Sequence, residues 1–235
     1  MTLETIELGR MLDIATGAGQ FIHYLLQVNP TITEVVGIDN NERGIAQAQK
    51  RMEDKRVTFQ VDDAYNLKYA DESFDSVTIS NSLHHFEDPI KLLTEVKRVL
   101  KPGGNIVVSE MFSDGDQTLQ QQSHIEMHHW FAKFDRLINR FHDDTYEQQE
   151  LIDFVAKLDF EDIETSVINM KIDNPKEPKL LAAYSRNIKQ VQDMAKAREL
   201  PEEFITKGTE LIAFMEDNGF SPARNILIFA HKQKL

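Results

Sequence analysis

Apolar residues along this chain fall into two rhythms, short unbroken runs of strand length and longer stretches in which they recur every three or four positions. The runs at 10–15, 34–39 (EVVGID), 56–62 (RVTFQVD), 73–82 (SFDSVTISNS) and 105–111 (NIVVSEM) predict five strands. Helical periodicity predicts helices at 17–28, 41–53 and 88–100 between them. The last of these has Asp88 at the N-cap, Pro89 in the first turn and KPGG closing it. Strand and helix alternating in this way imply right-handed crossovers and a parallel sheet covered on both faces.

The second half keeps the helical rhythm for longer. Residues 116–141 predict one long helix with Trp130, Phe131, Phe134, Leu137, Ile138 and Phe141 largely at helical spacing, which reads equally as core and as a substrate clamp. Residues 145–172 read as a capped helix followed by a sixth strand, with Asp159 between them. Two more amphipathic helices fill 176–219, the second opening at Pro201 and ending at Asn218 and Gly219. A final apolar run, ARNILIFAHKQ, closes the pattern as a last strand.

In a parallel sheet of this kind ligands bind beyond the carboxyl ends of the strands, so the residues just after each run are the candidates for chemistry. The first run ends at Asp13 and gives way to Gly17 and Gly19, where the absence of Cβ lets backbone approach a ligand. Asp39 closes the second run, at the distance where an acid in this architecture meets a ribose hydroxyl pair. The dinucleotide fingerprint is not met, because its third glycine falls on Ile22. Asp13 also repels a pyrophosphate and suits an ammonium group.

Composition narrows the field further. With 39 acidic and 26 basic residues the formal charge is −13, so the averaged surface field repels nucleic acid and anionic membranes. No cysteine is present, which removes disulfides, thiolate nucleophiles and cysteine-ligated metals. Neither a leader-like apolar stretch at the N-terminus nor a run approaching the roughly 18 apolar residues of a membrane span is found, so a cytoplasmic protein with no membrane partner is expected.

LDIATGAGQ, VVGIDNN and the continuous segment VTFQVDDAYNLKYADESFDSVTISNSLHHFEDPIKLLTEVKRVLKPGGNIVVSEM together resemble the class I S-adenosylmethionine-dependent methyltransferases, in particular the ubiquinone and menaquinone biosynthesis branch. The likeness covers about residues 10–112. It implies an α/β, Rossmann-like, doubly wound seven-stranded sheet, mostly parallel with an antiparallel last strand, plus helical inserts. It implies S-adenosyl-L-methionine as cofactor, S-adenosyl-L-homocysteine as product, and a small-molecule acceptor.

The resemblance also implies roles for residues. Asp13, Ala15, Gly17 and Gly19 match the motif that holds the methionine part, and Asp39 the acid on the ribose hydroxyls with Asn40 against the adenine. Asp63 and Ala64 match the pair that reads the adenine edge, and Asn81, Ser82 and Leu83 the pocket near the methyl group. Thr16 and Asp62 depart from the family, which usually has cysteine and glycine there. His84 and Glu110 are the candidate catalytic residues, although a strong base is optional when the sulfonium methyl is already activated.

No metal site is assigned. His124 and His128 stand four apart on a helix, a chelating distance, but a third ligand is missing and a helix surface or pocket wall is the favoured reading. A single domain over 1–235 is expected, with inserts at 113–150 and 176–219 acting as a lid or in a homodimer. Only about ten residues precede the first strand, so one of these inserts is expected to close the cofactor pocket. Three alternatives stay open: a binding protein for S-adenosylmethionine without transfer, a nicotinamide-dependent oxidoreductase, and a nucleic-acid methyltransferase.

Overall fold

The computed structural model describes residues 1–234. Its strands are β1 (Arg10–Ile14), β2 (Glu34–Asp39), β3 (Val57–Val61), β4 (Phe74–Ser80), β5 (Leu100–Met111), β6 (Phe160–Ile168) and β7 (Asn225–Lys232). The helices are α1 (Gln20–Val28), α2 (Glu42–Arg51), α3 (Pro89–Val99), α4 (Leu119–Leu137), α5 (Gln148–Ala156), α6 (Pro178–Ala197) and α7 (Glu202–Asn218). They form one seven-stranded sheet in the order β3-β2-β1-β4-β5-β7-β6. The first five strands pair in parallel, and β7 runs antiparallel to both β5 and β6. The chain order reverses between β1 and β4, and the carboxyl ends of these two strands therefore border the crevice where such sheets take ligands.

The pleat sends successive side chains to opposite faces, and each face has its own core. Leu12 and Ile14 of β1, Val36 and Ile38 of β2 and Val77 and Ile79 of β4 pack with Leu92, Leu93 and Val96 of α3 and with Leu151 and Val155 of α5. On the other face Met11, Val35, Val107 and Phe229 meet Ile22 and Leu25 of α1, Ile45 and Ala48 of α2, and Leu3, Ile6 and Leu8 from the N-terminal segment. Asp88 caps α3 as its sequence promised, its side chain accepting from the Lys91 amide at 2.9 Å.

Several boundaries differ from the sequence reading. The first helix begins at Gln20 rather than at 17, because Gly17 (φ 53°) and Gly19 (φ 80°) lie in the left-handed region that a right-handed helix cannot use. KPGG does not merely close α3; β5 begins at Leu100, which pairs with Phe74 before an irregularity in register. The long fourth helix stops at Leu137, with Asn139 at φ 60°, so Phe141 leaves the helical stripe. The rest of the stripe is core: Trp130 stacks on Phe204 with ring centroids 4.6 Å apart and donates its indole N–H to the Phe204 carbonyl at 2.9 Å. A third core forms here, in which α6 and α7 pack on α4 through Ile188, Phe204, Leu211 and Phe220.

Candidate functional site

The ends of β1, β2, β3 and β4 each contribute something different to one cavity of about 500 Å³, a volume in the range of ligand pockets. Ala15 and Gly17 come from the loop after β1, Ile38, Asp39, Asn40 and Asn41 from β2 and the turn into α2. Asp62 and Ala64 follow β3, and Asn81, Ser82, His85 and Phe86 follow β4. The remaining wall comes from the end of α4 and the loop beyond it, through Asp135, Arg140 and Phe141.

The loop after β1 is held in an unusual backbone shape. Ala15 is left-handed at φ 54°, as is Asn81 at φ 46° after β4, and such strain in non-glycine residues is characteristic of sites that need a fixed backbone. A Cβ on Gly17 would meet no atom within 4 Å, whereas one on Gly19 would sit 3.1 Å from the Phe59 ring. Gly17 therefore keeps cavity space open, and Gly19 packs the turn. Asp39 ties the parts together: Oδ2 accepts from the Gly17 amide at 2.8 Å and Oδ1 from the Asn41 amide at 2.8 Å.

Asp13 lies beneath this loop rather than in the cavity wall, and it is buried. Thr78 donates its hydroxyl to Oδ1 at 2.5 Å. Burial raises the carboxyl from an ordinary 3.8 to about 6; the hydroxyls of Thr78 and Thr16 pull it partly back, and the charge of Asp39 pushes it up. A raised carboxyl means that the folded protein binds more protons than the unfolded one between about pH 4 and pH 6, so stability falls as pH rises through that window. The full effect is about 3 kcal/mol. In the absence of ligand, Asp13→Asn is expected to remove this loss, so that urea midpoints of the wild type and the variant diverge from pH 4 to pH 6; parallel midpoints would show that Asp13 carries no such penalty.

Other sequence-derived residues are distributed unevenly. Ala15, Gly17, Asp39, Asn40, Ala64, Asn81 and Ser82 reach the cavity together. Leu83 does not: it is fully buried in the core under α3, within the 3-10 turn Leu83–His85. Of the two adjacent acids it is Asp62 that is buried and joins the wall, while Asp63 is exposed and accepts from the Tyr65 amide at 2.9 Å. Asp62 in turn takes Lys68 Nζ at 3.0 Å.

Glu110 has a part that the sequence did not suggest. It is buried, and Oε2 accepts from the amides of Ser82 at 2.8 Å and Leu83 at 2.9 Å. Its Oε1 meets His84 Nδ1 at 3.1 Å and the Met111 amide at 3.2 Å. Both oxygens are thus occupied in shaping the 81–85 turn, and Glu110 does not line the cavity as a free base would. His84 is equally enclosed at 1% exposure. The histidine that faces the cavity is its neighbour His85, which burial, with the charges of His84 and His142, pushes down to about 3.

His124 and His128, four apart on α4, engage different partners. His124 Nδ1 accepts from the Ala223 amide at 3.0 Å, and burial pushes its ring down to about 4. His129 turns away to Thr145 Oγ1 at 2.7 Å. His128 instead meets His84, with 3.1 Å between their Nε2 atoms, and His142 from the loop after α4 completes a group that the sequence had not linked.

The sheet order, the glycine loop and the acid closing β2 agree with a class I S-adenosylmethionine-dependent methyltransferase, and the family comparison bears this out. The chain belongs to the methyltransferase domain family, whose model matches residues 7–197. It is 30% identical over 163 residues to a ubiquinone/menaquinone biosynthesis C-methyltransferase of Geobacter sp. (strain M21), covering 68% of this chain and 69% of that one. It is 36% identical over 102 residues to a demethylmenaquinone methyltransferase of Thermotoga maritima, a match that spans 43% of each chain. In three dimensions it resembles YcgJ of Bacillus subtilis, with a TM-score of 0.60 at 21% identity over 99% of this chain and 95% of that one, a likeness of fold. Among the described residues no helix is long and apolar enough to cross a membrane.

Proposed function

We propose that this chain transfers the methyl group of S-adenosylmethionine to a small-molecule acceptor and releases S-adenosylhomocysteine. One observation carries the reading: the glycine loop, the Asp39 carboxylate, Ala64 and the Asn81–Ser82 turn, from four separate strand ends, share one cavity. The residues fit the cofactor. Gly17 leaves open space over its backbone, the Asp39 carboxylate would hold the ribose hydroxyls, and Asn40 and Ala64 would line the adenine side. When bound, the cofactor supplies a methyl group already activated on a sulfonium sulfur.

The protein's own task is to align and to exclude water. Asn81 is fixed for this by two contacts of its Oδ1, from the Met111 amide at 3.1 Å and from Asn225 Nδ2 at 2.7 Å. Ser82 is fixed by Glu110 through its amide. Phe141 and Arg140, together with Asp135, supply the wall from outside the sheet and act as the lid, whereas α6 and α7 buttress α4 from behind. Phe86 and Phe141 beside Asn81, Ser82 and His85 suit an acceptor with an apolar ring and a few polar atoms. The names of the curated relatives support a quinone-type ring as the first acceptor to assay.

Gly17→Leu tests the reading cleanly, because the side chain enters open space and costs the fold only about 1–2 kcal/mol of left-handed strain. The variant is expected to fold and to lose S-adenosylhomocysteine binding by calorimetry; undiminished binding would place the cofactor elsewhere.

A further inference from the structure

Three histidines from distant parts of the chain bring one ring nitrogen each to within 4.8 Å of one another: His84 after β4, His128 on α4 and His142 on the loop beyond it. The His84 and His128 Nε2 atoms are 3.1 Å apart. Two imidazole nitrogens on a tetrahedral zinc, each at about 2.0–2.1 Å, stand about 3.3 Å from each other, so the group is already near ligating size.

What lies behind the rings is more telling. His84 Nδ1 is 3.1 Å from Glu110 Oε1, and His142 Nδ1 is 2.8 Å from Asp135 Oδ2. When these nitrogens carry the proton and donate it to the carboxylates, each Nε2 is left as a bare lone pair. That is the arrangement in which a carboxylate orients a histidine for a metal and makes it a better ligand. Two ring nitrogens of the group, His142 Nε2 and His128 Nδ1, are buried without any hydrogen-bond partner, while His84 Nε2 is met by His128 Nε2. Buried polar atoms are rarely left so, and two in one cluster call for a ligand. The His128 ring has no carboxylate behind it; its Nε2 is engaged with His84 Nε2, a hydrogen bond that an ion held between the two rings would replace. His128 stands at 90° to His84 and at 80° to His142, while the His84 and His142 rings lie nearly parallel, at 22° with centroids 5.5 Å apart.

We propose that His84, His128 and His142 bind a divalent first-row transition ion of the zinc class, with Glu110 and Asp135 orienting two of the three ligands. An all-imidazole set selects such ions over magnesium and calcium, which need oxygen ligands. Three protein ligands leave a coordination position for a water molecule, as in sites where a metal activates what it holds. The cluster adjoins the cavity, since His85 next to His84 and Asp135 behind His142 both line it. On the methyltransferase reading, and only on it, the fourth position takes an acceptor hydroxyl or thiol as its conjugate base, with the proton released to solvent.

The test is direct titration of tag-free protein, stripped with a chelator and dialysed into metal-free buffer, with Zn²⁺ by calorimetry and with Co²⁺ by visible absorption. One equivalent per chain is expected, with His128→Ala and His142→Ala each weakening it about a hundredfold and Asp135→Asn about tenfold to a hundredfold. His23→Ala, an exposed histidine on α1, is expected to bind as wild type. Circular dichroism monitors folding, and Asp135→Asn carries the test where an alanine variant does not fold. Less than half an equivalent bound by wild type, or binding unchanged in the folded variants, would overturn the proposal and leave a hydrogen-bonded histidine cluster. The S-adenosylhomocysteine titration is independent, so an ion bound without the cofactor would defeat the transferase reading alone.

Discussion

Asp39→Ala is expected to lower affinity for S-adenosylhomocysteine by a hundredfold or more while leaving the protein folded. The carboxylate is the one charged group in the cavity that comes directly from the β2 end, and its proposed partners are both ribose hydroxyls. Hydrogen bonds to a charged group contribute about 1.5–3 kcal/mol each, and two of them amount to a factor of about 10²–10⁴ in binding. The structural loss is smaller, because the amides of Gly17 and Asn41 that Asp39 now holds border the cavity or the exposed start of α2, where water can replace the carboxylate. Calorimetry alongside thermal unfolding checks both parts. A loss of affinity below tenfold would remove Asp39 from the proposed ribose site.

The second large effect is on stability. Glu110→Ala is expected to destabilise the protein by about 3–5 kcal/mol, because it strips the acceptor from the Ser82 and Leu83 amides and from His84 in a buried turn. For a chain of this size that corresponds to a fall in Tm of about 10 °C. Glu110→Gln separates the structural role from the catalytic one suggested by its position at a strand end. Glutamine keeps an oxygen for the two amides but turns an NH₂ group toward His84 Nδ1 and the Met111 amide, so a fall of several degrees in Tm is expected. A variant as stable as wild type but inactive would return Glu110 to the role of a base.

The contrast between Asp39 and Glu110 shows what a sequence can convey here. Asp39, Gly17 and Ala15 are legible because strand-to-helix turns fix their place within a few residues of a periodic element, and the sheet order then brings the turns together. Asp62 and Asp63 are adjacent acids, and one step of backbone decides which is buried; nothing in VDDA makes that choice. Glu110 is set by amides on a different strand connection, and the histidine group by three segments that meet only after α4 has folded across the sheet end. His142 sits in NRFHDD, a stretch without periodicity or motif. The aromatic stripe of α4 was legible as a stripe, but the partner faces of α6 and α7 decided that Trp130 and Phe134 are core. Phe141 escaped to the cavity because the helix ended four residues earlier than its apolar spacing implied.

The measurement closest to the central claim is a calorimetric titration of the wild-type protein with S-adenosylhomocysteine, run beside an identical titration with NAD. The expected result is one site per chain for S-adenosylhomocysteine and no saturable heat for NAD, since the turn that would hold a pyrophosphate carries Ile22, fully buried on α1, in place of a glycine. Saturable binding of NAD by the folded protein, or no binding of S-adenosylhomocysteine, would contradict the account.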